Sequence, residues 1–229
     1  MNHPHDAESV QEHRGDGPLS DTPLPKTTGM DPTRKPLNTS IATLASEISS
    51  YLFKYLAGFR IPTFIPEKGS DQPTKLTAQI PLQVRIHNVA MGDFSRLFGI
   101  KEGSELAVPV IEHYYKNPDL GNPLVNEFHM YSMGLATPEQ LRSINRLASK
   151  TNVVLKSFFE RREMKLLVAN LEFGVSGTQV VVCDEISPRT CRLGDISKKD
   201  RGGKDIFAPG YEDSLEAYTE VRNRIYRTF

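Results

Sequence analysis

KLLVANLEFG, residues 165–174, and TQVVVCDEIS, residues 178–187, are the two stretches on which the fold turns. Both are short runs rich in Val and Leu, of strand length. Gly174 to Gly177 lie between them and supply turn residues, so the pair predicts a β-hairpin. Upstream, Thr137-Pro138-Glu139-Gln140 reads as a helix start. Thr137 is the cap, Pro138 fits the first helical position, and Gln140 completes a capping box. Leu141, Ile144, Leu147, Ala148, Leu155 and Phe158 then recur on one helical face, to about residue 162. Downstream, a last helix is expected from about 213 to 227, with Leu215, Tyr218, Val221 and Ile225 inward.

Towards the N-terminus, residues 40–57 place Ile41, Leu44, Ala45, Ile48, Leu52 and Leu56 on one face, with Ser40 as the expected N-cap. Residues 76–90 predict a strand pair, or one long strand broken at Pro81. Short apolar segments at 94–100 and 104–112 flank a Gly-containing turn at 102–104, and KNPDLGNP at 116–123 reads as a loop. Helices and largely antiparallel hairpins segregate along the chain, so the class is α+β.

The chain has 229 residues, with 28 Lys plus Arg against 28 Asp plus Glu. That neutral balance argues against a general nucleic-acid binder. No apolar run approaches the ~18 residues that span a membrane. The first residues are acidic and lack the apolar segment of a secretory signal. Two cysteines, Cys183 and Cys191, are too few for a disulfide framework or a structural zinc site, which points to a reducing cytoplasm. No aromatic residue precedes Tyr51, and residues 1–35 hold three of six His and five of 16 Pro. Such a segment cannot bury enough surface to offset its ordering entropy, so 1–35 is expected to be a disordered tail.

Glu172 and Asp184 fall on neighbouring strands of the hairpin. A carboxylate pair there suits a hard cation such as Mg²⁺, which takes a few carboxylates plus phosphate oxygens. The other reading is two solvated acids at a hairpin end. Arg192, a short loop away, suits bidentate binding of a carboxylate or phosphate. Cys183 reads as a buried core thiol, and Cys191, beside Arg192, as the more reactive one. KKDRGGK at 198–204 reads either as a phosphate-binding loop or as a solvated basic loop. His3, His5 and His13 read as bystanders in the tail.

Four segments, HNVAMGDFSRLFGIKEG (87–103), VIEHYYKNPDLGNPLVNE (110–127), LEFG (171–174) and DEISPRTCRLGD (184–195), together resemble the SAICAR synthetase family in order and spacing. RIPTF at 60–64 resembles the family's GIPTHF. KKDRGGKDIF and EAYTEVRNRI resemble its KDRFR segment and last helix. The resemblance covers roughly residues 40–229. It implies a two-lobed, kinase-like α+β architecture. It also implies ATP-dependent ligation of a carboxyaminoimidazole ribotide to aspartate in de novo purine biosynthesis. ATP and Mg²⁺ are the implied cofactors, a ribotide-like carboxylate and aspartate the implied partners, and a homo-oligomer is compatible with it.

Matched residue by residue, the resemblance makes Asp184 the metal-binding Asp and Glu172 the Glu near the nucleotide ribose and metal. Lys116 matches a Lys at the active-site rim, and Arg192 an Arg that holds the ribotide. Ile80, Leu82 and Val84 would offer backbone contacts to adenine. Asp195 and Glu127 also match family positions. The set is coherent, because phosphoryl transfer needs positioned cations and Mg²⁺ more than a nucleophile.

Departures fall on substrate positions. His87 stands for a family Arg and Asp93 for a Ser, both expected around the ribotide. An Asp about 4 Å from a phosphate costs about 4 kcal/mol at an effective dielectric of about 20. Val168 and Asn170 replace a carboxylate and a Lys, Asn122 replaces an Asp, and Ile41 and Ala42 stand for a Lys-Gly pair. The family's N-terminal YEGKAK strands have no counterpart. Residues 36–78 are therefore expected to be a remnant of the small ATP-binding lobe, and 79–229 the large substrate- and metal-binding lobe. Three readings follow: the purine-pathway synthase, a family member retuned to another carboxylate in a specialised pathway, or a non-catalytic paralogue acting as a binding partner.

Overall fold

The computed structural model describes residues 38–64, 76–196 and 214–227. The expected tail at 1–35, with its three histidines, and the KKDRGGK loop lie outside the described residues. The elements run α1 (Thr39–Gly58), β1 (Ala78–Val89), α2 (Asp93–Phe98), β2 (Glu105–Tyr115), β3 (Leu124–Val125), α3 (Glu127–Ser132), α4 (Pro138–Glu160), β4 (Met164–Ser176), β5 (Gln179–Cys183), β6 (Cys191–Asp195) and α5 (Leu215–Ile225). Helices pack with an antiparallel sheet, as an α+β chain should.

Helix α4 starts as its sequence requires. The Thr137 hydroxyl accepts from the Gln140 amide at 3.2 Å, and the Gln140 side chain accepts from the Thr137 amide at 2.8 Å. Helix α1 is capped two residues earlier than expected. The Asn38 side chain, not Ser40, accepts the orphan amide, that of Ser40 itself, at 3.0 Å. Residues 76–90 form one strand rather than a pair. Proline has no N–H to give the ladder, and at Pro81 the pairing of β1 with β4 shifts register between Gln79 and Gln83 instead of ending.

The hairpin is tighter than its glycines suggest. β4 continues to Ser176, which pairs with Gln179, so the loop is Gly177-Thr178 alone, with Gly177 at φ 61°. Gly174 therefore sits inside β4. A Cβ there would lie 2.8 Å from Leu76 Cδ2 and 3.1 Å from the Ala78 carbonyl oxygen. The glycine serves close strand approach rather than the turn. β5 is also shorter than expected, ending at Cys183.

Along the sheet the order is β3-β2-β1-β4-β5, and β6 pairs with the first half of β4, on the edge where β5 pairs with the second half. Alternation along β1 and β4 gives the sheet two unlike faces. Ile80, Leu82, Val84, Ile86, Leu171 and Phe173 face a single core shared with Leu52, Phe53 and Leu56 of α1, Phe158 of α4, and Tyr218 and Ile225 of α5. Each fully buried side chain of this kind stabilises the fold by roughly 1.5–3 kcal/mol. The core runs across residue 78 without a break, and Ile41 belongs to it. A reciprocal amide pair, Asn88 with Asn152 at 2.9 and 2.8 Å, fixes the end of β1 to α4. Among the described residues no helix is long and apolar enough to cross a membrane.

Candidate active site

The opposite face of the sheet is polar. Cross-strand register sets Gln83 beside Glu172, Arg85 beside Asn170, and His87 beside Val168. Arg192 of β6 pairs with Val168, and Glu112 of β2 with Arg85. Paired residues lie on the same face, and within β1 and β4 these are spaced by two, so all of them share one face.

Glu172 is its centre. Only 5 % of this residue is exposed. Its Oε2 accepts from the Gln79 side-chain amide at 2.8 Å and from the Lys116 ammonium. Its Oε1 is buried with no hydrogen-bond partner. Lys116 is held there through its backbone, whose N–H donates to the Pro81 carbonyl at 3.0 Å. Burial pushes the Glu172 carboxyl above the usual range; Lys116 opposes this, and the neighbouring Asp184 carboxyl adds to the rise.

Asp184 directly follows β5 and has a left-handed backbone, φ 70°. That conformation turns the chain out of the hairpin, and Asp tolerates it better than most residues. The loop beyond is anchored on α1, where the Ser49 hydroxyl accepts from the Ile186 amide at 3.1 Å. It is closed by the Thr190 hydroxyl, which accepts from the Ser187 amide at 3.0 Å. Sequence and loop thus bring Asp184 back to Glu172 and feed β6, with Arg192, onto the same sheet edge.

Two facing carboxylates, one with a buried and unpartnered oxygen, fit a divalent cation that completes its shell with phosphate oxygens and water. Among the described residues no group of three or more His, Cys, Asp or Glu side chains is placed to hold a metal alone. The donor set therefore suits Mg²⁺ carried with a phosphate better than a closed protein cage.

The other expected positions divide. His87 is almost fully buried, stacked on Phe94 with ring centroids 4.4 Å apart. Its Nε2 meets Glu112 Oε2 at 2.9 Å, which leaves Nδ1 buried without a partner. Burial raises the Glu112 carboxyl, but hydrogen bonds from His87 and Tyr114 outweigh this and hold it below the usual range. Asn170 accepts from Arg85 Nε at 2.9 Å and donates to the Thr190 carbonyl at 3.1 Å. It ties the sheet to the 184–190 loop.

Asp93 begins α2 and pairs with Arg96 at 2.6 Å. The repulsion expected of Asp93 is therefore offset by a cation one turn along the same helix, which sequence reading missed. Asn122 is buried in a left-handed conformation, φ 51°, and donates its backbone N–H to the Asn117 carbonyl at 3.0 Å.

Two expectations need correction. Val84 lies where β1 runs between two paired neighbours, and its side chain is in the core. Its backbone groups serve the ladders, not an adenine ring; Ile80 and Leu82 both lie in the irregular stretch between Gln79 and Gln83, where β1 is out of register with β4. Cys191 is not the more reactive thiol. It is wholly buried, and burial pushes its pKa to about 12, as it does for Cys183 beside Glu172 and Asp184. Asp195, a matched position with no role assigned to it, accepts from Arg224 with both oxygens, at 3.1 and 3.2 Å, joining β6 to α5.

Gln79, Gln83, Arg85 and Glu112 belong to the polar face and were not singled out beforehand. Their signal was present in AQIPLQVRIHNV, where polar residues at 79, 83, 85 and 87 alternate with Ile80, Leu82, Val84 and Ile86.

Known proteins match most of the chain. The family model for SAICAR synthetase matches residues 28–225. Phosphoribosylaminoimidazole-succinocarboxamide synthase of Bacillus subtilis is 40 % identical over 185 residues, covering 80 % of this chain and 77 % of that protein. The crystal structure of the corresponding synthase from Ehrlichia chaffeensis superposes with a TM-score of 0.75 at 32 % identity, over 89 % of this chain and 88 % of that one. A SAICAR synthetase in complex with ADP matches at the same TM-score and 33 % identity, over 89 % of each chain. The motifs, the sheet that carries them and these matches agree: the chain belongs to the SAICAR synthetase family.

Proposed function

We propose that the chain is an ATP-dependent carbon–nitrogen ligase that joins a carboxyaminoimidazole ribotide to aspartate in purine biosynthesis, acting on the polar face of its sheet. One observation carries the assignment of the site. The buried Glu172 faces Asp184, is met by Lys116, and keeps one oxygen without a partner.

In this reading Glu172 and Asp184 would hold Mg²⁺, which when bound would supply positive charge against the phosphates of ATP. Lys116, partly exposed at the rim, steadies Glu172 and presents a cation to the transferring phosphate. The substrate carboxylate takes the γ-phosphoryl of ATP, giving an acyl phosphate and ADP. The aspartate amine then attacks the acyl carbon, the C–N bond forms, phosphate leaves, and the amine proton passes to solvent. Little covalent chemistry falls to the protein, so positioning and charge dominate. Arg192 holds the ribotide from the β6 edge, and the Asp93–Arg96 pair stands at the end of the face expected to meet it. The reducing cytoplasm is the proposed compartment, consistent with two free buried thiols.

Calorimetry of Mg-ATP binding to Asp184→Asn tests the assignment. Asn keeps the left-handed backbone at little cost, so the variant folds, and Mg-ATP affinity should fall at least 100-fold. Unchanged affinity would remove Asp184 and Glu172 as the metal site.

A further inference from the structure

A second cavity, of about 560 Å³, lies where the start of α4, the 60–62 turn and the tip of the β4–β5 hairpin meet. It shares no lining residue with the Glu172 site. Its floor is apolar, from Pro62, Leu147 and Val180, and its wall is cationic, from Arg60, Arg146 and Lys150. Among the described residues those three cations make no ion pair and no side-chain hydrogen bond. The one carboxylate in the lining, Glu139, is already held by Arg142 at 2.7 Å. Arg146 and Lys150 are four apart on α4, a like-charge spacing that destabilises a helix when nothing anionic sits between them.

Arg60 sharpens the point. It follows the end of α1 with φ 56°, a conformation that favours glycine. Glycine is the residue in the matching motif GIPTHF. Here the chain accepts backbone strain and places a guanidinium at the mouth of the cavity.

We propose that this cavity is a second anion site, separate from the catalytic face, which takes a phosphate-bearing small molecule of nucleotide size. Its volume falls in the range of ligand pockets. Three cations suit a polyphosphate, and the apolar floor suits a base or ribose. The proposal does not depend on the catalytic assignment.

The test uses the full chain carrying Asp184→Asn, with EDTA present, and ATP as the probe in equilibrium dialysis. One equivalent of ATP should bind, with affinity falling steeply as salt is raised. Arg60→Gly and Lys150→Gln, each added to that background, should weaken binding at least tenfold. Arg60→Gly should melt no lower than its parent, since glycine relieves the left-handed strain, so a loss of binding in it cannot come from misfolding. No ATP binding in the Asp184→Asn background, or binding that neither substitution weakens, would overturn the proposal.

Discussion

Lys116, just beyond β2, reaches across β1 to donate to Glu172 on β4, while the far oxygen of Glu172 stays buried and unpartnered. The ion pair is thus only half of what that carboxylate can bind. Without ligand, the site is a place where charge is held against burial rather than for stability.

Glu172→Gln makes this visible. The raised pKa of Glu172 means that the folded state keeps its proton to higher pH than the unfolded chain does. Its contribution to stability is present below the unfolded carboxylate pKa and lost as pH rises through the raised folded value. Removing the charge should therefore leave Tm at pH 7 equal to or above that of the parent, and flatten its fall between acid and neutral pH. Mg-ATP binding should drop by at least 100-fold in the same variant. Thermal melts over pH 4–8, paired with calorimetry, check both.

Asp93 and Arg96 should behave as a unit. Arg96→Ala exposes the ribotide to an uncompensated carboxylate and should raise KM for it about tenfold or more at low salt, an effect of Coulombic size. Adding Asp93→Ser should restore most of the loss. Steady-state kinetics on the two single variants and the double variant give the coupling.

The thiols give a simple test of the packing. With pKa values pushed to about 12, Cys183 and Cys191 are almost wholly protonated at pH 8. Native protein should release no colour with a disulfide reagent such as DTNB, and guanidinium-unfolded protein should titrate two thiols. Rapid labelling of either cysteine in the native state would contradict the burial of β5 and β6.

Arg224 on α5 clamps Asp195 on β6 and also donates to the Glu163 carbonyl at 3.0 Å. Arg224→Ala leaves a buried carboxylate without its cation, a change that costs about 3–5 kcal/mol. Asp195→Asn keeps a hydrogen-bonding partner and should cost less. Urea denaturation of the two variants checks the ranking.

Much of this molecule was legible in the chain. The Thr137–Gln140 box, the two Val- and Leu-rich runs of the hairpin and the colinear motifs lead to the sheet and to Glu172, Asp184 and Lys116. What the residues did not disclose is pairing at a distance. Nothing local says that Arg96 will offset Asp93, that His87 will be sealed against Glu112 and Phe94, or that Arg224 will claim Asp195. Those outcomes depend on which strands become neighbours. Cys191 was misread for the same reason: it was judged by the Arg192 beside it in sequence, whereas alternation puts the two on opposite faces. Val84 suits adenine only as long as β1 is not known to be central, with both edges taken at that residue.

The central claim is that the polar face of the sheet forms an amide bond at the expense of ATP. Its most direct test is a turnover assay with carboxyaminoimidazole ribotide, aspartate and Mg-ATP, following the succinocarboxamide product, ADP and phosphate together. The account predicts all three in equal amounts from the native chain, none without Mg²⁺, and at least a 100-fold loss in folded Asp184→Asn. Product formation undiminished in Asp184→Asn, or no turnover by the folded native chain, would contradict it.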